Sequence, residues 1–264
     1  MKWDVVYKRA YNDDGSLFFP EKLNKEYLEN QKRTQGSYIF SNQYLNEIIP
    51  SDLQTFKRSW FKYYNELPNQ FYTFATIDPA SAQSDSSDYT GVCVVSVDSD
   101  QNWYIRHAAQ YKLNPTQIIE MLFRLHKHYD LQGIGFEKVA FQNVILHFLG
   151  EEMKKRVQFL PIKGLNPPNT KTKEMRILSM VPRFEWGNVY LAKGLTDFEN
   201  QLLSFPRGAH DDIIDACQYI EMLAFYPAKT LEEKKPAPNS PDYEKWYIEQ
   251  LKQGKDPNEQ RPEY

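Results

Sequence analysis

The sequence predicts an α/β fold: a mixed sheet of three antiparallel strands followed by parallel strands, with helices on both faces. Three observations predict it. Residues 71–77, 90–97 and 103–111 are apolar or alternating stretches of strand length, joined by short polar links such as Asp98-Ser99-Asp100-Gln101-Asn102. From residue 114 onward, helix-type and strand-type stretches alternate, as in parallel strands linked by crossover helices. The helical stretches carry one-sided apolar stripes, so each has a face to lay on a sheet.

Each element has its own signal. Residues 1–70 mix aromatics and charges. Residues 24–32 after Pro20 read as a short helix, and residues 55–64 place Phe56, Trp60 and Tyr63 at helical spacing. The strand 71–77 ends at Asp78-Pro79. Residues 81–88 are a polar loop, and strands 90–97 and 103–111 follow. Asn114-Pro115 is a helix start, and Ile118, Ile119, Leu122 and Leu125 form the buried stripe. A strand at 132–136 ends in Glu137; then come a helix at 141–155, a strand at 157–162, a helix at 172–180, a strand at 188–191 and a helix at 197–203. The last helix opens at His210-Asp211-Asp212-Ile213-Ile214-Asp215-Ala216 and runs to about 225. At about 100° per residue, Ile213, Cys217, Ile220 and Ala224 share one side, while Asp212 and Asp215 share the other with Tyr219. The predicted organisation is a linker at 1–70, the α/β domain at 71–226, and a charged, largely flexible tail at 227–264 with one short helix at 243–251.

Composition excludes several classes. A chain of 264 residues, 41% hydrophobic and 15% aromatic, can build a sizeable core. No run approaches a membrane span, and there is no apolar signal segment. The only cysteines, Cys93 and Cys217, form no CxxC pair, which argues against a disulfide frame or a zinc knuckle. No GxxxxGK[ST] phosphate loop occurs. The net charge of −3 announces no nucleic-acid binder, but between residues 153 and 183 eight cations stand against Glu174 alone.

Acids placed at element ends carry the chemistry. Asp78 and Glu137 close the first and fourth expected strands, and Asp212 and Asp215 lie three apart on the last helix. Read singly, each has an ordinary explanation: a turn acid before proline, a solvated strand end, charges at a helix start. If the two strands are neighbours, all four carboxylates meet at one sheet edge. Hard oxygen donors without a His/Cys set call for Mg2+ or Mn2+. Two such ions suit phosphodiester hydrolysis. Packed acids repel when no metal is bound, so neutralising Asp78, Glu137 or Asp215 is expected to raise the melting temperature. Asp88 is a further candidate ligand from the loop, and His210 and Asp211 are expected to support the ligands from behind. Lys163, Lys171, Lys173 and Arg176 are candidate phosphate contacts, and the last three are expected to be free to face a duplex. The aromatics are read as core, not as a base-stacking platform.

The sequence resembles the RNase H-like (RuvC-like) nuclease superfamily, and more narrowly the nuclease domain of a tailed-bacteriophage terminase large subunit. The resemblance rests on Ile77-Asp78-Pro79-Ala80 with Asp88-Tyr89-Thr90, Gly135-Phe136-Glu137, residues 171–177, residues 184–189 and residues 210–216. It implies a metal-dependent endonuclease that cuts concatemeric double-stranded viral DNA in the cytoplasm of an infected bacterial host. The implied partners are the packaging ATPase, the portal and the small terminase subunit. Pro20-Glu21 and residues 40–45 resemble the segment that joins the ATPase to the nuclease. The missing phosphate loop places the ATPase either on the rest of a longer chain or on a separate one. A structure-selective RuvC-like resolvase and a non-catalytic packaging interaction module are the alternatives.

Overall fold

The computed structural model describes residues 8–12, 14–46, 55–79, 89–137, 140–228, 240 and 243–252; of residues 137, 140–145 and 249–250 it describes the backbone only. In chain order the elements are α1 (Lys25–Tyr44), a 3-10 turn (Arg58–Trp60), β1 (Lys62–Tyr63), β2 (Phe71–Asp78), β3 (Thr90–Asp98), β4 (Trp103–Tyr111), α2 (Pro115–Tyr129), β5 (Gly133–Glu137) and α3 (Ala140–Arg156). They continue with β6 (Ile162–Leu165), α4 (Lys173–Leu178), α5 (Val181–Glu185), β7 (Val189–Leu191), α6 (Thr196–Ser204), α7 (Asp212–Gln218), α8 (Ile220–Leu223) and α9 (Tyr243–Lys252).

The strands form one sheet of order β1-β7-β4-β3-β2-β5-β6. β2, β3 and β4 are antiparallel neighbours, while β2–β5, β5–β6, β4–β7 and β1–β7 are parallel pairs. This is the predicted mixed sheet. β3 is buried along its whole length, because helices cover both faces. Its side chains alternate between two cores: Cys93, Val95 and Val97 join Ile213, Cys217 and Ile220 on one face. Val92 and Val94 join Ile118, Leu122 and Leu149 on the other. α2 starts where expected, with a complete capping box between Asn114 and Gln117.

Four expected elements are redrawn. The short helix at 24–32 extends to Tyr44, in two segments broken at Gly36, whose φ of 77° departs from the helical region. Glu185 stabilises the second segment by accepting from the Ser37 amide at 2.9 Å and from the Ser37 hydroxyl. Residues 55–64 are not a helix. Phe56 is buried against Phe184 and Phe205, and β1 pairs with β7 instead. Tyr63 donates to Glu199 at 3.0 Å, so this part of the expected linker is built into the sheet. The sixth strand begins at Ile162, not at 157. Val157 has φ 51° and is 83% exposed, and the chain joins the sheet only where the Ile134 amide donates to the Pro161 carbonyl. The last helix starts at Asp212, breaks at Tyr219 and ends at Leu223.

Chain contacts divide the protein into Met1–Pro227 and Ala228–Tyr264. In the second unit, α9 occupies the stretch where a short helix was expected. Among the described residues, no helix is long and apolar enough to cross a membrane.

Candidate active site at the acid edge of the sheet

β2 and β5 run parallel, and the last paired residues are Ile77 and Phe136. Asp78 and Glu137 are the next residue on each strand, so their backbones stand side by side at one sheet edge, about one strand spacing (~4.8 Å) apart. α7 lies over β2 and β3 in the opposite direction to β2. Thr76 donates to the Ala216 carbonyl at 2.7 Å. Gly91, the register partner of Asp78, lies directly beneath Asp212: a Cβ on Gly91 would overlap the Asp212 carbonyl oxygen. The helix therefore delivers Asp212 to the edge that Asp78 and Glu137 occupy. Asp78 is half-buried, and Glu137's side chain and Asp88 lie outside the described residues.

Neither Asp211 nor Asp212 caps α7. Gln201 of α6 accepts from the Ile213 and Ile214 amides at 2.9 and 3.3 Å, and it is held in turn by a 2.8 Å bond to Gln110. The helix-start donors are thus satisfied from outside, which leaves the local acids for other work. Sequence reading missed Gln201, because nothing in the residues around it marks a cap for a helix eleven residues on.

Asp215 does not present itself as a ligand. It is 4% exposed. Its Oδ2 pairs with Lys173 Nζ at 3.0 Å. Its Oδ1 accepts from Gln218 at 3.2 Å and faces Arg176 at 3.9 Å. Lys173 also donates to Asp211 at 2.9 Å. Burial alone lowers the Lys173 pKa, but the Asp215 and Asp211 carboxylates outweigh it and push the ammonium well above its ordinary value. Arg176 lies over the Tyr219 ring at 5.7 Å, and Tyr219 is itself fully buried. The expectation that Lys173 and Arg176 are free to meet a duplex is thus corrected. α4 packs along α7, and the basic residues neutralise the acidic helix. Lys163 is also drawn away, donating to the Met222 carbonyl at 3.4 Å, at the opposite end of α7–α8 from Asp212. Of the four expected phosphate contacts, Lys163 and Lys171 are exposed with no carboxylate partner among the described residues, and of these two Lys171 is the one whose side chain makes no hydrogen bond to them.

Asp212 is different. Burial raises its pKa, and Asp211 raises it further, against the lowering effect of Lys173 and His210. His210 stands 3.8 Å from Asp212 Oδ2 and edge-on to Tyr89. Among the described residues, no group of three His, Cys, Asp or Glu side chains converges closely enough to hold a metal ion. The expected four-acid cluster is thus not assembled by the described side chains, since Asp215 faces Lys173. What remains at the edge is Asp78 and Asp212, with Glu137 beside Asp78 in strand order. That all-oxygen set fits Mg2+ or Mn2+ in type.

The Lys173 pairing predicts a stability effect. Lys173→Met keeps the apolar stem but leaves buried Asp215 without its ammonium. It should cost about 1–3 kcal/mol, read as a lower urea midpoint at pH 7. The folded pKa of Lys173 lies above its 10.5 reference. The stabilisation is therefore complete below that reference and is lost only as pH rises beyond it, so the deficit should be constant from about pH 6 to about pH 9.

A family model described as the terminase RNaseH-like domain matches residues 75–223. The chain belongs to that family. The large terminase of a thermophilic bacteriophage, solved in complex with ADP, is similar in fold: TM-score 0.53 at 11% identity, over 75% of this chain and 52% of that one. Another crystal form of the same phage's large terminase gives 0.51 at 12%, over 74% and 50%. The terminase-family chain described here therefore spans about half the length of these large terminases. At such identities the likeness shows the fold alone. A search of curated proteins finds no match.

Proposed function

We propose that this chain is the nuclease part of a viral DNA-packaging terminase and hydrolyses phosphodiester bonds of concatemeric double-stranded DNA. One observation carries this reading: the parallel β2–β5 pair and the start of α7 bring Asp78, Glu137 and Asp212 to one edge of the sheet. Mg2+ or Mn2+, when bound, supplies activation of the attacking water and neutralises charge on the leaving 3′ oxygen.

The chain's own residues do the rest. Asp78, Glu137 and Asp212 would hold the cations. Gln201 fixes the start of α7 and so the position of Asp212. Lys173 and Arg176 neutralise Asp215 and Asp211, which limits the repulsion that the ligand acids must tolerate. Lys171 is available to a DNA phosphate. No protein nucleophile is needed. The packaging ATPase, on the same or a separate chain, the portal and the small terminase subunit are the partners this reading implies.

Supercoiled plasmid incubated with Mg2+ or Mn2+ should be nicked and then linearised with little sequence preference, and EDTA should stop both. Equal cleavage in EDTA would refute the metal assignment. No cleavage in either metal would leave a non-catalytic packaging module as the better reading.

A further inference from the structure

A groove of about 600 Å3 runs between the first segment of α1 and the α4–α5 surface, lined by Arg33, Thr34, Gln101, Lys171, Ser179 and Trp186 among others. Its floor is electrically settled. Arg183 is bound to Glu221 at 2.5 and 3.1 Å and to the Gln101 carbonyl at 3.1 Å, with its guanidinium over Trp103. Its walls are not. Lys171 and Arg33 are exposed, and the guanidinium of Arg33 reaches Asn30 only by a long bond of 3.3 Å. Trp186 lines the same groove and is 50% exposed, with no ring or cation stacked on it among the described residues. Among the described residues, the uncompensated charges of the groove are both positive, and its exposed surface offers one large π-face.

α4 and α5 run alongside α7 and α8, as the pairs Lys173–Asp215, Arg176–Tyr219 and Arg183–Glu221 show in order. Lys171 lies two residues before Lys173, and its carbonyl accepts from Arg176 at 3.4 Å. Gln101 belongs to the β3–β4 turn at the opposite end of those strands. The groove therefore lies on the flank of the domain toward the β3–β4 turn.

We infer that this groove holds a single-stranded stretch of DNA, with phosphates on Lys171 and Arg33 and an unpaired base stacked on Trp186. The inference rests on the nuclease reading for its substrate class and adds the site, the polarity of contacts and the strandedness. Two cations recognise the polyanion and an exposed indole recognises the base face, which is the chemistry that single-strand tracks use. A paired base offers no free face to Trp186, so a duplex does not satisfy the third contact.

The test uses the full chain with Ca2+ and a fluorescent thymidine 12-mer, beside a blunt duplex of the same length. Trp186→Ala should weaken single-strand binding about tenfold, a stacking effect of about 1.4 kcal/mol, and Trp186→Phe should restore most of it. Quenching of tryptophan fluorescence by the 12-mer should fall in Trp186→Ala. The double change Arg33→Ala with Lys171→Ala should flatten the slope of log affinity against log salt by about 1.4, two contacts at about 0.7 each. All three side chains are exposed, so melting temperatures should stay unchanged. Unaltered single-strand affinity in both variants overturns the inference. Equal weakening of the blunt duplex by Trp186→Ala overturns the stacking assignment. Wild-type plasmid cleavage with Mn2+ separates the two readings: cleavage with indifferent groove variants refutes the groove alone, and groove binding without cleavage refutes the nuclease alone.

Discussion

Asp78→Asn, Glu137→Gln and Asp212→Asn are each expected to reduce metal-dependent plasmid cleavage by about a thousandfold or more, because each removes an anionic oxygen from the proposed cation-binding edge. The changes replace one oxygen with an amide nitrogen and leave side-chain volume nearly constant, so the fold should persist. Their stability effects separate the acids. Asp212 has a raised pKa, caused first by burial and then by Asp211. In the window between its ordinary and its raised value the folded state binds more protons than the unfolded state, so the Asp212 carboxylate destabilises the metal-free protein above that window. Asp212→Asn should therefore melt higher than wild type near pH 7 without metal, and the gap should close as pH falls toward the 3.8 reference value. Asp215→Asn should do the reverse and melt lower, because its carboxylate holds Lys173 at 3.0 Å. The expectation of relief on neutralising Asp215 is thus withdrawn on structural grounds. Thermal melts at several pH values with EDTA, beside the cleavage assay, check both points. Full activity in Asp212→Asn would remove it from the ligand set.

Gly91→Ala should be the most damaging single methyl in the β2–β3 hairpin. The added Cβ would overlap the Asp212 carbonyl oxygen and stand 2.6 Å from its carbonyl carbon. Backbone is on the receiving side, so no rotamer relieves the clash, and either α7 lifts or β3 bends. A loss of about 3 kcal/mol is expected, at the upper end for overpacking. Activity should fall further than stability, because the displaced atoms belong to Asp212 itself. Gly150→Ala is the control: nothing lies within 4 Å of its Cβ, and a helix-interior alanine should be neutral or mildly stabilising. Chemical denaturation of both variants reads the difference. A Gly91→Ala protein as stable and active as wild type would mean that α7 does not rest on β3 as described.

The parts legible in sequence were those that short-range periodicity controls. Strands β2, β3 and β4 showed themselves by apolar runs between turn residues, and α2 by its Asn114-Pro115 start. Asp78 and Glu137 stood out because each follows the last apolar residue of a strand. Residues 55–64 misled because Phe56, Trp60 and Tyr63 share a helical spacing by coincidence. Phe56 is buried beside Phe184, and β1 is made by pairing with β7, more than 120 residues away. The sequence points to the aromatics as core, and Trp186, 50% exposed, departs from that expectation.

What the sequence by itself determined is the element order, the mixed sheet and the acids at two strand ends and one helix start. These follow from local backbone preference and from which side of each element is apolar, and neighbours along the chain decide both. What only the tertiary structure decided is how those acids are divided. Asp212 and Asp215 are equivalent in sequence, three apart on one helix, yet one goes to the sheet edge and the other to Lys173. That division depends on α4 lying along α7, on Gln201 capping α7 from α6, and on Gly91 letting the Asp212 backbone come close. Each is a contact between distant segments. Electrostatic energy depends on distance and burial, which residue spacing does not encode.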